Sequence, residues 1–137
     1  MKKGFTLIEL LIAVAILAVL SVMGLGIFAS AQRRGRDARR KGDMRAIQRA
    51  FEQYYSENMA YPASCGFGST MEIATGETFL VPSDPVDSGD TQYSGDCTVD
   101  GYCVCAYLES EKGGNASDGD CDSFSSDGAY FCVENLQ

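Results

Sequence analysis

Residues 1–32 read MKKGFTLIELLIAVAILAVLSVMGLGIFASAQ. From Leu10 to Gln32 there is no charged residue and nearly every side chain is apolar. About 20 apolar residues are enough for a helix to cross a bilayer. This segment is long enough to span one, and roughly three-quarters of the chain is left to fold in water. Lys2 and Lys3 resemble the basic start of a signal peptide or anchor. The apolar segment is expected to stay on the mature protein. Glu9 is the anomaly. An ionised carboxylate at membrane depth is costly unless it finds a partner, and no basic residue stands beside it in sequence.

Charge divides the chain in two. Residues 1–60 hold ten Lys/Arg and five Asp/Glu, a balance of +5. Residues 61–137 hold Lys112 against fourteen acids, a balance of -13, and the whole chain is at -8. An acidic head repels phosphates, so nucleic acid is not an expected partner of the head. The eight basic residues from Arg33 to Arg49 form a neck at the end of the apolar run. That neck would meet anionic lipid headgroups or the acidic heads of neighbouring molecules. The positive-inside rule places such a cluster in the cytoplasm. The cysteines argue for an extracytoplasmic head, because six thiols in a reducing cytosol would have no structural purpose.

Residues 32–58 continue as helix. Met44, Ile47, Phe51 and Tyr54 recur at three- and four-residue spacing and make one apolar stripe, with the arginines expected on the other face. Asn58 and Pro62 mark the stop. Gly24, Gly26, Gly35 and Gly42 are weak points where the helix could bend or unwind. Beyond Pro62 the composition turns to Gly, Ser, Thr, Asp and Cys. Val81–Asp90 reads as a turn-rich loop. Gly101–Ser110 and Ala129–Leu136 read as strands from their aromatic and β-branched content. Glu111–Gly128 between them reads as a long polar loop. Three or four antiparallel strands covering the apolar stripe make an α+β fold.

All six cysteines, Cys65, Cys97, Cys103, Cys105, Cys121 and Cys132, fall in the head. An even count in a small polar domain reads as a disulfide framework in place of a large core. The spacing of Cys103 and Cys105 is not the usual zinc pattern, and the chain has no histidine. Two apart on a strand, these two share a face and are poorly placed to bond to each other. One of them could reach Cys132, and Cys65 is placed to tie to Cys97 or Cys121. The lack of C-x-x-C weakens a thiol oxidoreductase reading. Asp84, Asp87 and Asp90 form one acidic cluster; Asp118, Asp120 and Asp122 form another. The second is no EF-hand, because Ser123 and Ala129 stand where glycine and the bidentate glutamate belong. With no histidine and no Gly-rich phosphate loop, no catalytic constellation is visible and no enzyme activity is expected.

Gly4-Phe5-Thr6-Leu7-Ile8-Glu9 after a two-lysine leader, followed by the long apolar run, is similar to the processing and assembly motif of type IV prepilins and type II secretion pseudopilins. YSENMAYP (Tyr55–Pro62) and Asp84-Pro85 also look like this family. The resemblance implies a pilin-like fold, with the long N-terminal helix packed on a small antiparallel sheet. It divides the chain into a leader (1–4), a transmembrane and filament-core helix (5–31), a basic amphipathic half of the same helix (32–58) and a disulfide-braced acidic head (59–137). It implies cleavage between Gly4 and Phe5 by a prepilin peptidase, and methylation of the new amine by that peptidase/methyltransferase. It implies pairing of Glu9 with that amine on a neighbour. The implied partners are membrane lipid before assembly, an inner-membrane assembly platform, and copies of the chain in a cell-surface filament. Calcium in the loop after the helix, at Asp84, Asp87 and Asp90, rests on the same resemblance. Two alternatives to a pilus subunit stay open: a type II secretion pseudopilin, and a membrane-anchored binding domain or thiol oxidoreductase that never polymerises. Many family members carry a proline in the apolar helix where it unwinds; this chain has Gly24 and Gly26 instead.

Overall fold

The computed structural model describes residues 4–86 and 93–137. The chain divides into two units, Met1–Arg33 and Arg34–Gln137. One helix, α1, runs from Leu7 to Asn58, and the glycines at 24 and 26 fall inside its bounds. Seven strands follow among the described residues. A hairpin pairs β1 (Thr70–Ala74) with β2 (Glu77–Leu80) through a Thr75–Gly76 turn. A five-stranded antiparallel sheet contains β3 (Ser94–Thr98), β4 (Gly101–Tyr107), β5 (Gly114–Ala116), β6 (Phe124–Gly128) and β7 (Tyr130–Glu134), in the order β3-β4-β7-β5-β6. The architecture is α+β, a long helix with antiparallel sheets in a pilin-like layout.

In the first unit the helix has no cover. Every residue from Gly4 to Val22 and from Ile27 to Arg33 is exposed, and Leu7, Leu17 and Ile27 are exposed by 81%, 62% and 74%. By length and composition, α1 can cross a membrane.

The second unit has two cores, one on each face of β4. Side chains alternate along a strand. Tyr102, Val104 and Ala106 therefore face one way and pack with Met44, Ile47 and Phe51 of α1, with Tyr61, Val81, Tyr93 and Val133 closing the cluster. Phe51 meets the Tyr102 ring edge-on at 5.0 Å, and Tyr55 stacks on Tyr61 at 4.6 Å. Cys103 and Cys105 face the other way. There Cys105, Cys132 and Ala116 form a small second core, with Cys103, Cys121 and Tyr130 packed against it. At the helix end Met59 takes a left-handed conformation (φ 55°) and its N–H donates to the Tyr55 carbonyl at 2.8 Å.

Four expectations need correction. The head holds seven strands among the described residues, in a hairpin and a five-stranded sheet, not three or four. The segment Glu111–Gly128 is not one loop, because it holds β5 and β6. Their Gly-Asn-Ala and Phe-Ser-Ser-Asp-Gly sequences hold one strand-forming residue, Phe124, because backbone packs at the glycines instead of side chains. A Cβ on Gly128 would lie 1.7 Å from the Ala116 carbonyl oxygen, and one on Gly114 would lie 2.0 Å from that of Tyr130. The buried stripe continues through Tyr55, which packs against the core, while Tyr54 is half-buried beside it. The arginines do not all take the opposite face. Arg40 lies on the stripe itself, one helical turn before Met44, and is wholly buried.

Candidate functional site

Gly4 and Phe5 lie exposed before the helix; residues 1–3 of the expected leader are outside the described residues. A Cβ on Gly4 would meet nothing within 4 Å, so the bond to Phe5 is open to approach from that side. Thr6 caps the helix and Glu9 answers it. The Thr6 N–H and hydroxyl both donate to Glu9 Oε2, at 2.9 and 2.7 Å, and the Glu9 N–H donates back to Thr6 Oγ1 at 3.3 Å. This is a capping box, Thr-x-x-Glu, which satisfies two helix-terminal donors. The spacing Thr6-Leu7-Ile8-Glu9 carries that signal in the sequence, a local signal that the charge of Glu9 overshadows. Both bonds fall on one oxygen, and among the described residues Oε1 takes no hydrogen bond. The carboxylate can therefore hold the cap and still receive a cation at Oε1.

The second constellation binds the helix to the head. Arg40 Nε and Nη2 grip the two oxygens of Asp84 at 2.6 and 3.1 Å. Arg40 Nη1 donates to Asp37 Oδ1 (3.1 Å) and Glu109 Oε1 (2.9 Å). Arg36 forks onto Glu109, its Nε at 2.6 Å from Oε1 and its Nη2 on Oε2. Asp37 in turn accepts the backbone N–H groups of Glu109 and Ser110, at 2.8 and 3.0 Å. Asp84 also accepts the N–H of Val86 at 2.8 Å. Among the described residues no buried side-chain polar atom lacks a partner, the condition under which buried charges are tolerated. Burial alone would lower the Arg40 guanidinium, but its bonds to Asp84 and Glu109 outweigh that and raise it. The hydrogen bond from Arg36 acts first on Glu109. With the Arg40 contact it pulls the carboxyl down from an ordinary 4.5 to about 2, against a smaller opposing effect of burial.

Farther along the helix Glu52 collects three donors: Tyr102 hydroxyl at 3.1 Å, Tyr61 hydroxyl at 3.2 Å and the Leu136 N–H at 3.0 Å. Burial first, and the Glu52 charge second, push the Tyr61 phenol up to about 12. These three anchors join the helix to the β4 core face, the post-helix segment and the C-terminus. They were missed in the sequence because each partner lies nine or more residues away.

The cysteines bond as Cys65–Cys97, Cys103–Cys121 and Cys105–Cys132. Cys105 is the one that reaches Cys132, its register partner across β4 and β7. Cys65 takes Cys97, and Cys121 takes Cys103. Of the acidic cluster suggested for calcium, Asp84 spends its oxygens on Arg40 and Val86, and Asp87 and Asp90 lie outside the described residues.

The family model described as the prokaryotic N-terminal methylation motif matches residues 1–25. The chain is 35% identical over 63 residues to type II secretion system core protein G of Pseudomonas aeruginosa, which is 46% of this chain and 44% of that protein. It is 36% identical over 60 residues to type IV major pilin protein PilA of Myxococcus xanthus, which is 44% of this chain and 27% of that pilin. The chain thus spans less than half the length of these curated relatives. No solved structure matches it. The chain carries the prokaryotic N-terminal methylation motif, and over about 60 residues it is similar to a type II secretion system core protein and to a type IV pilin.

Proposed function

We propose that the protein is a structural subunit of a type IV pilus-like filament, anchored in the cytoplasmic membrane by α1 and polymerised through it after cleavage at Gly4–Phe5. Its work is assembly, not catalysis. The observation that carries this reading is the uncovered apolar helix surface from Leu7 to Val22 and at Ile27 and Phe28, bearing one carboxylate with an oxygen to spare. An apolar surface of this length needs lipid or other helices around it. The first cover is the membrane and the second is the same helix of other subunits. The new Phe5 amine of a neighbour then supplies the cation for Glu9 Oε1, which solves the desolvation problem of a buried carboxylate. Arg33, Arg34 and Arg49 are exposed and able to meet anionic headgroups before assembly and acidic heads after it. The similarity to protein G favours one second reading, a short secretion pseudopilus.

Two substitutions separate charge from cap. Glu9→Gln keeps an acceptor for the Thr6 donors, as Gln serves in a capping box, and removes the charge. Glu9→Leu removes both. Both variants are expected to be processed to a methylated Phe5 terminus and inserted in the membrane, yet to yield few filaments in electron micrographs of sheared cells. Normal filaments from Glu9→Gln would reduce Glu9 to a helix cap. Long surface filaments from the unaltered chain support the pilus reading over the secretion one.

A further inference from the structure

Where α1 stops, the second unit carries an apolar patch that nothing covers. Met59 follows the last turn of α1, Val99 lies on the β3–β4 turn and Leu136 follows β7, and all three are more than half exposed. Hydrogen bonds draw the three segments together. The Tyr61 N–H donates to the Val99 carbonyl at 3.0 Å. The Leu136 N–H donates to Glu52 Oε1, which also accepts the Tyr61 and Tyr102 hydroxyls. Apolar side chains gathered from separate segments and rimmed by polar groups mark an interaction surface. Here the rim is acidic. Glu57, Asp100 and Glu134 are exposed, and none of them forms an ion pair among the described residues.

The complement lies on the same unit, on the part of α1 turned away from the Met44–Phe51 stripe. Arg34 and Arg49 are exposed there, and among the described residues neither forms an ion pair. The other cations of this stretch are engaged. Arg36 and Arg40 belong to the buried network, Arg39 stands near Asp43, Lys41 donates to the Gly113 carbonyl and Arg45 lies over the Phe131 ring at 5.4 Å. Between Arg34 and Arg49 the helix surface is low and open. Ala38 is exposed, and a Cβ on Gly35 or Gly42 would meet nothing within 4 Å. The two arginines stand about 22 Å apart along the helix axis, within the footprint of an interface of about 800 Å² per partner.

We propose that the Met59, Val99 and Leu136 patch of one copy docks on the α1 surface between Arg34 and Arg49 of a second copy, with Glu57 and Asp100 paired to those arginines. The contact rests on the filament reading and names the head surfaces that meet in it. Charge selects the occupant. Unpaired carboxylates rim one surface and unpaired guanidiniums flank the other. An arginine stem covers apolar side chains while its fork takes a carboxylate. An anionic membrane attracts the arginines but repels the acidic patch; a second copy supplies both complements. Because the two surfaces differ, the contact is heterologous. Each docked copy keeps one surface for the next, and the series stays open unless its rotation closes. Parallel copies in this contact are offset by about 25 Å, the rise from Gly42 to Met59 along the helix.

The test uses the full chain in cells, with charge reversal and cross-linking as separate readouts. Glu57→Arg with Asp100→Arg should cut the filament yield in electron micrographs by more than about tenfold, because like charges across a contact cost several kcal/mol. Arg34→Glu with Arg49→Glu should do the same. All four changes together should restore most of the yield, which a role of the arginines at lipid alone would not allow. Arg49→Lys keeps the charge and supplies an amine. A carbodiimide should then join position 49 of one copy to Glu57 or Asp100 of another, in a dimer whose linked peptides are read by mass spectrometry. That dimer without long filaments would keep the contact and remove the pilus reading. Filaments that form without the linkage, that survive either reversal or that are not restored by the four changes would overturn the contact and leave the pilus reading standing. Neither filaments nor the dimer would overturn both.

Discussion

The two halves of α1 invert the usual rule. Before Arg33 the helix turns leucine, isoleucine and valine outward on every side. After Arg34 it buries one stripe, and that stripe includes a guanidinium and a carboxylate, Arg40 and Asp37. Apolar groups are outside where the chain has nothing to cover them, and charges are inside where it supplies every partner. The difference shows that hydrophobicity alone does not decide burial. What decides it is whether the chain itself provides the complement. The head does so for residues 37–55. For Leu7 to Phe28, lipid or neighbouring subunits have to, under the proposed function.

The harshest way to break this comparison is Arg40→Met in the full chain. It leaves Asp84, Asp37 and Glu109 without their shared cation, and uncompensated buried charge costs about 3–5 kcal/mol. Urea unfolding with the disulfides intact, followed by tyrosine fluorescence, should show a loss of that size. Adding Asp84→Leu should recover part of it, because the cost lies in the stranded carboxylates more than in the lost attraction. The counterpart is Leu17→Ala, which should shift the head's unfolding by no more than about 0.5 kcal/mol, as for exposed sites. If Leu17→Ala cost as much as Arg40→Met, the two halves would not differ as argued.

A gentler probe uses pH. Glu109 is held at about 2, below its ordinary 4.5. A depressed carboxylate contributes stability that is complete above about 4.5 and declines as pH falls toward 2. Arg36 is one-third exposed, so solvent screening leaves about 1 kcal/mol or less of the effect. Urea midpoints measured from pH 6 to pH 2 should fall over that window in the unaltered chain. Glu109→Gln should start lower and have a flatter profile. Equal slopes in both would show that Glu109 does not report on the buried network.

Much of this fold is legible in the residues. Met44, Ile47 and Phe51 mark the buried face by period alone, and β4 and β7 are marked by their aromatic and β-branched content. The cysteine count announces bonds but not partners, since pairing depends on which strands lie side by side. β5 and β6 are illegible because glycine and serine are chosen there for backbone contact. Arg40 is illegible for a different reason. Its position continues the stripe, but an arginine among arginines reads as solvated unless Asp84, forty-four residues on, is known to meet it. At the N-terminus, Gly4, Phe5 and Glu9 stand out as a motif, while the Thr6–Glu9 capping box is local and could have been read from spacing.

The smallest predicted effect sharpens the contrast most finely. Arg39 and Arg40 are sequence neighbours with the same chemistry, turned about 100° apart on the helix. Arg40 is sealed in the network. The Arg39 side chain is 64% exposed, and its Nε stands 3.8 Å from Asp43. That carboxylate already accepts the Tyr93 hydroxyl at 2.7 Å, so losing Arg39 strands nothing. An exposed pair four residues apart contributes about 0.3–0.5 kcal/mol and is screened by salt. Arg39→Ala should therefore change the urea midpoint by an amount near the error of the measurement, and by less still in high salt. A loss approaching that of Arg40→Met would mean that the boundary between solvated and buried charge does not run between these two residues. Near-neutrality, set beside the cost at Arg40, would place that boundary within a single residue of the helix.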